Sequence, residues 1–114
     1  MILYGIKNCD TVKKARAWLS AEGIAYSFHD FRADGLDAAL LETFEHAAGW
    51  ETLLNRRGAG WRGLSEEQRA DVDRDKALAL MLAHPALIKR PVLSSGSKIV
   101  VGFTPENYAA EFKR

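Results

Sequence analysis

The stretch Ile2-Leu3-Tyr4-Gly5-Ile6-Lys7-Asn8-Cys9-Asp10-Thr11-Val12-Lys13-Lys14-Ala15 joins an apolar run to a turn and then to a helical pattern, with the chain's only cysteine at the junction. Ile2 to Ile6 is short, apolar and bounded by the turn-like pair Lys7-Asn8, as a buried strand would be. From Thr11 to Glu22 the apolar residues Val12, Ala15 and Leu19 recur at helical spacing, with Trp18 beside them, and Gly23 supplies a stop. Ala25 to Phe31 follows as a second strand, with Tyr26 and Phe28 on one face and Ser27 and His29 on the other. Strand, helix and strand within about thirty residues is the signature of a parallel βαβ unit.

Beyond this unit the pattern turns helical. Leu36, Ala39, Leu40, Thr43, Phe44 and Ala47 form a periodic stripe that ends near Gly49. A short segment over Glu51 to Arg56 leads into the glycine-rich Gly58-Ala59-Gly60-Trp61-Arg62-Gly63. Ser65-Glu66-Glu67-Gln68 matches a capping box. Another apolar helix is expected over Lys76 to Ala83, stopping before Pro85. Pro91-Val92-Leu93 and Ile99-Val100-Val101, joined by Ser94-Ser95-Gly96-Ser97, read as an antiparallel hairpin. Thr104 and Pro105 then cap and open a last helix. The order β-α-β, helical block, β-β-α is that of an α/β, thioredoxin-like fold with a mixed four-stranded sheet. No repeat, low-complexity tract or linker interrupts it. Residues 1–114 are therefore expected to form one domain, with a core of 1–34 and 86–114 and with 35–85 as an inserted helical layer.

At 114 residues, 47% hydrophobic and 27% charged, the chain can bury an ordinary globular core. A formal net charge of +1 leaves no broad positive field for a polyanion. The longest apolar stretch, around Ala77 to Ala83, falls far short of the ~20 residues of a membrane span. The N-terminus lacks the basic region and small-residue cleavage site of a signal peptide. One cysteine permits no internal disulfide and no multi-thiolate zinc site, which suits the reducing cytoplasm. Any second thiol in a redox reaction must come from another molecule.

Cys9 falls between the end of the first strand and the start of the first helix. Unpaired amides and the positive end of the helix dipole favour a thiolate there. Lys7, Lys13 and Lys14 lie nearby in sequence, with Lys13 about one helical turn on, and are expected to add to that stabilisation. Asp10 and Asp30 oppose it. A lone intracellular cysteine is more often a small buried apolar residue, but a strand-to-helix turn flanked by lysines favours a functional one. Arg90-Pro91 is the second feature. In thioredoxin-like folds a cis-proline opens the strand facing the active-site turn and holds a backbone edge ready for a peptide thiol. A proline at the start of a strand is also ordinary edge-strand chemistry.

Three separated blocks resemble the arsenate reductase (ArsC)/Spx family, closest to its YffB branch. They are Tyr4 through Ala15, Leu54-Asn55-Arg56-Arg57-Gly58 with Trp61-Arg62, and His84-Pro85 through Ile88-Lys89-Arg90-Pro91. The resemblance runs over nearly the whole chain. It implies a thioredoxin-like domain with an inserted helical subdomain, a nucleophilic cysteine matched by Cys9, and an arginine before a cis-proline matched by Arg90 and Pro91. In glutathione-coupled arsenate reductases three arginines hold the oxyanion. Of these Arg90 is matched; Arg56 or Arg57 could stand in on the inserted helix, although Asn55 aligns comparably. The third belongs on the last strand, where this chain has Val101-Gly102-Phe103. Spx regulators commonly carry a C-x-x-C switch, where this chain has Val12. The remaining branch is that of glutathione-dependent thiol reductases. The resemblance thus implies a thiol-disulfide oxidoreductase in which the Cys9 thiolate forms a mixed disulfide and glutathione, as co-substrate, releases the product. Lys13, Arg57 and Arg90 would hold glutathione's carboxylates or stabilise the thiolate, with Pro91 beside them. No metal or organic cofactor is expected. Arsenate reduction and Spx-like binding to RNA polymerase are the competing readings.

Arg56, Arg57, Trp61 and Arg62 could bind nucleic acid by stacking and phosphate contact, but the near-zero net charge favours a solvated face, and nucleic acid is not expected as a partner. Trp18 and Trp50 read as packing residues. His29, His46 and His84 are isolated and lack the spacing of metal ligands. The expected partners are glutathione and a small-molecule or protein disulfide, with the chain acting as a monomer away from membranes.

Overall fold

The computed structural model describes residues 1–96 and 98–113. In it β1 (Ile2–Gly5) pairs in parallel with β2 (Ser27–Asp30), Leu3 opposite Phe28 and Gly5 opposite Asp30. The crossover between them is α1 (Asp10–Ala21), whose periodic residues Val12, Ala15 and Leu19 are all buried. That apolar stripe is what holds the helix on the sheet. Gly23, at φ 69°, takes the left-handed conformation that ends the helix. Gly5 has a different task. A Cβ at that position would lie 2.7 Å from Cγ2 of Val12, so glycine lets strand and helix meet closely just before Cys9.

β3 (Val92–Ser95) pairs antiparallel with β1, and β4 (Lys98–Val101) antiparallel with β3. The order β2-β1-β3-β4 is the mixed four-stranded sheet of the expected thioredoxin-like fold. Of the predicted hairpin turn, Gly96 is at φ 61° and Ser97 lies outside the described residues. Thr104 caps α7 (Pro105–Phe112), its hydroxyl oxygen accepting from the Asn107 amide at 3.0 Å. The core gathers Leu3, Ala15, Leu19, Leu93 and Tyr108, with Trp18, Phe28, Phe103 and Phe112 packed around it. Each large side chain buried there contributes about 1.5–3 kcal/mol. Trp18 is thus a packing residue, edge-on to Tyr108 and stacked on Phe112.

The chain divides into two compact units, Met1–Asp34 with Arg90–Arg114, and Gly35–Lys89. The second unit contains α2 (Ala38–Ala48), α3 (Trp50–Leu53), α4 (Ala59–Arg62), α5 (Glu66–Arg69), α6 (Arg74–Ala83) and a 3-10 turn over Pro85–Leu87. Ser65 and Gln68 form the predicted capping box, each bonding the other's backbone. α6 starts at Arg74, two residues before the expected Lys76, because the Asp73 carboxylate accepts from the Lys76 amide and caps the helix earlier. Residues 86–89, expected in the sheet core, belong instead with the helices. The Asn55 amide donates to the Leu87 carbonyl at 2.8 Å, the Lys89 amide donates to the Leu53 carbonyl at 2.7 Å, and Leu54 bridges to Ile88. Among the described residues no helix is long and apolar enough to cross a membrane.

Candidate active site

Cys9 occupies the N-cap of α1 with extended backbone angles, φ −98° and ψ 125°. Its amide donates to the Ile6 carbonyl at 3.2 Å, closing the Lys7-Asn8 turn, and its own carbonyl accepts from the Lys13 amide at 3.0 Å. This is how a strand, a two-residue turn and a helix start aim a half-buried thiol at free amides. Partial burial pushes the Cys9 thiol up. The Val12 amide, a hydrogen bond and the charge of the Arg90 guanidinium, and the Thr11 amide together outweigh it and hold the thiol below its ordinary value. The Cys9 side chain does not close a capping hydrogen bond on α1.

The Arg90–Pro91 peptide is cis. Pro91 is buried, and its carbonyl accepts from the Gly102 amide at 2.8 Å just beyond the β3–β4 pairing. Among the described residues, Nε and Nη1 of Arg90 are buried without a hydrogen-bond partner. Leaving such donors unmatched costs about 1–3 kcal/mol each.

Cys9, Arg90 and Pro91 therefore belong to the same unit and, for Cys9 and Arg90, to one electrostatic site. The lysines behave otherwise than expected. Lys7, Lys13 and Lys14 are exposed, and the cation that acts on the sulfur is Arg90, distant in sequence. Lys7 acts on Asp30 instead. Burial pushes the Asp30 carboxyl up, but the amides of Arg32, Ala33 and Lys7 and the Lys7 charge hold it below the usual carboxylate range.

Arg57 lies in the helical unit, where its amide donates to Oδ1 of Asn55 at 3.0 Å and its carbonyl accepts from Nη1 of Arg62 at 2.8 Å. Its side chain is exposed beside a cleft of about 530 Å³ bounded by Glu51, Asn55, Arg56, Arg57 and Lys89. The Arg56 guanidinium stacks on Trp50 and on Trp61, 5.8 and 5.6 Å from the ring centroids. The Trp61 indole that could have stacked on a base is thus engaged by a neighbouring arginine. Among the described residues no group of three His, Cys, Asp or Glu side chains converges as a metal ion would require. Sequence reasoning missed the parts played by Asp30 and Gly5. A carboxylate ending one strand and a glycine ending another were the available signals.

The family model for the ArsC family matches residues 4–111. Among solved structures the chain is similar to the YFFB protein, 53% identical with a TM-score of 0.91 and 96% of each chain covered. It is also similar to an arsenate reductase (ArsC) related protein from Brucella melitensis, 52% identical with a TM-score of 0.81, covering 99% of this chain and 94% of that one. At greater distance it aligns with the global transcriptional regulator Spx of Streptococcus agalactiae, 26% identical over 94% of this chain and 79% of that protein.

Proposed function

The chain belongs to the ArsC family, and from that premise we propose that it is a glutathione-dependent thiol-disulfide oxidoreductase working through Cys9. The observation that carries this reading is the Cys9 sulfur set between the amides of Thr11 and Val12 and the Arg90 guanidinium, with its thiol held below the ordinary value. A thiolate is the nucleophile in disulfide exchange. It attacks one sulfur of a disulfide, the sulfur–sulfur bond breaks, and the other sulfur leaves with the electron pair and takes a proton from water. A glutathione thiolate then attacks the Cys9 sulfur and displaces the second half of the substrate. A second glutathione attacks the bound glutathione, leaving as glutathione disulfide and restoring the Cys9 thiolate. Two glutathione molecules thus supply the two electrons.

The unmatched Nε and Nη1 donors of Arg90 suit a carboxylate of the incoming peptide. In this reading exposed Arg57 offers a charge for carboxylate recognition within the helical unit, and exposed Lys13 offers one at the start of α1. Arsenate reduction is less well served, because β4 offers Lys98-Ile99-Val100-Val101 and no arginine. A C-x-x-C switch has Val12 in its last position. The reaction suits a reducing compartment, the cytoplasm, and a monomeric chain.

Mass spectrometry after incubation with oxidised glutathione across the pH range, with Cys9→Ser as control, tests the proposal. The expected outcome is a glutathione adduct on Cys9 that forms readily below pH 7, absent from the control, and reversed by reduced glutathione. A thiol that reacts only at alkaline pH would refute it. Arsenate-dependent turnover with glutathione and glutaredoxin would move the assignment to arsenate reduction.

A further inference from the structure

We infer that Asp30 is a positioning residue for Cys9: its carboxylate anchors the Lys7-Asn8 turn and so fixes where α1 begins and where the sulfur meets the amides of Thr11 and Val12. The inference rests on Cys9 being the reacting group. Oδ2 of Asp30 accepts from the Lys7 amide at 3.0 Å, across 23 residues of sequence. Oδ1 accepts from the amides of Arg32 at 2.7 Å and Ala33 at 3.2 Å. The Asp30 backbone is itself held by pairing and hydrogen bonds. Asp30 ends β2 opposite Gly5, the Phe31 amide donates to the Gly5 carbonyl at 2.9 Å, and the Asp30 amide donates to Oδ2 of Asp34 at 2.9 Å.

β1 stops at Gly5, so the Lys7 amide lies beyond the reach of the strand pairing. Its bond to Asp30 replaces that pairing for the segment leading to Cys9. The turn is then pinned at both ends, by Asp30 at Lys7 and by the Cys9 amide on the Ile6 carbonyl. Asp30 is only 7% exposed. A carboxylate buried to that degree is costly unless its hydrogen bonds are made, and here one of the three goes to the turn that carries the nucleophile.

A structural role and a positioning role predict different behaviour of the thiol. Alkylation of Cys9 by iodoacetamide, followed across about pH 4 to 9, reports its ionisation directly. The measurement is made on the wild type, Asp30→Ala, Asp30→Asn and Asp34→Ala, each with its melting temperature. Removing a nearby negative charge would by itself lower a thiol pKa, so a rise can come only from lost positioning. Asp30→Ala is expected to raise the alkylation midpoint by about one pH unit, an about tenfold slower reaction below the midpoint. Asp30→Asn keeps one accepting oxygen and is expected to shift less. Asp34→Ala loses the bond to the Asp30 backbone amide but none made by the Asp30 carboxylate, and is expected to leave the midpoint in place. A midpoint unchanged or lowered in both Asp30 variants, with only the melting temperature falling, overturns the positioning role while sparing the reductase. A wild-type midpoint at the ordinary thiol value overturns both. If Asp30→Ala does not fold, Asp30→Asn carries the same test.

Discussion

The sheet unit and the helical unit are held together by different kinds of contact. In the sheet unit β1 lies between β2, which begins at Ser27, and β3, which begins at Val92. Cys9 and Arg90 each sit just outside a paired strand, so their positions follow from contacts made across most of the chain. In the helical unit several helix starts are set by near neighbours. α3, α4 and α5 are four residues each, and Asp37, Ser65 and Asp73 all cap helices by bonds three residues away. Its longer-range backbone bonds join residues 53–55 to 87–89. The difference matches the chemistry that each part can support. Tuning a sulfur by amides and a guanidinium needs a fixed backbone, whereas exposed arginines on a short turn suit loose recognition of charge.

Glycine substitutions give the widest test of this contrast. Gly5→Ala drives a methyl group against buried Val12 and should cost about 1–3 kcal/mol in urea unfolding. Gly58→Ala meets the side-chain amide of Asn55, which can move, and should cost no more than about 0.5 kcal/mol. Equal costs would erase the distinction between the units.

Arg90→Ala should raise the Cys9 pKa, because it removes both a hydrogen bond and a charge that favour the anion. A shift of one pH unit slows alkylation about tenfold below the native midpoint, and the deficit closes as pH rises past the variant's midpoint. The sign carries over to folding. A thiol held low in the folded state contributes stability above its unfolded pKa, and that contribution is lost as pH falls through the folded value. Arg57→Ala should leave the alkylation profile unchanged and raise KM for glutathione about two- to fivefold, since an exposed ion pair contributes at most about 1 kcal/mol. A shifted profile in that variant would tie the helical unit to the electrostatics of the thiol. The smallest effect is expected at Tyr108. Its hydroxyl is buried without a partner among the described residues, and burial pushes its pKa up. Tyr108→Phe should therefore leave the melting temperature unchanged or raise it, by up to about 1 kcal/mol of stability.

Most of the architecture was legible because its signals are local. The Val12, Ala15, Leu19 spacing, the Ser65 to Gln68 box and the Thr104-Pro105 start each announce an element within a few residues, and each element is present. Cys9 was legible for the same reason, as a residue between a strand and a helix. The source of its lowered thiol pKa was not legible from the local pattern, although the family resemblance offered Arg90 as a thiolate partner. The lysines closest in sequence are exposed, while Arg90 is brought in by β3 pairing with β1, which no local pattern reveals. Residues 86–89 were assigned to the wrong unit because their partners, Leu53 and Asn55, lie across an intervening run of helices. Asp30 reads in the sequence only as a charge opposed to the thiolate, because its partner at Lys7 is reached only through the parallel pairing of β1 and β2.

The Cys9 sulfur stands where serine, threonine or aspartate commonly caps a helix, with the second and third amides of α1 turned toward its anion. Charge on the sulfur and order in the first turn of α1 therefore support each other. In the proposed reaction a mixed disulfide carries no such charge, so each adduct would withdraw that support from the first turn and each release would restore it. A cap contributes about 0.5–2 kcal/mol, and about 1.4 kcal/mol corresponds to about 30 mV for a two-electron couple. A sulfur anion that supported α1 as much as an ordinary cap would raise the reduction potential of such a mixed disulfide by about 10–40 mV. In the proposed reaction the helix start is thus also a redox bias toward the free thiolate.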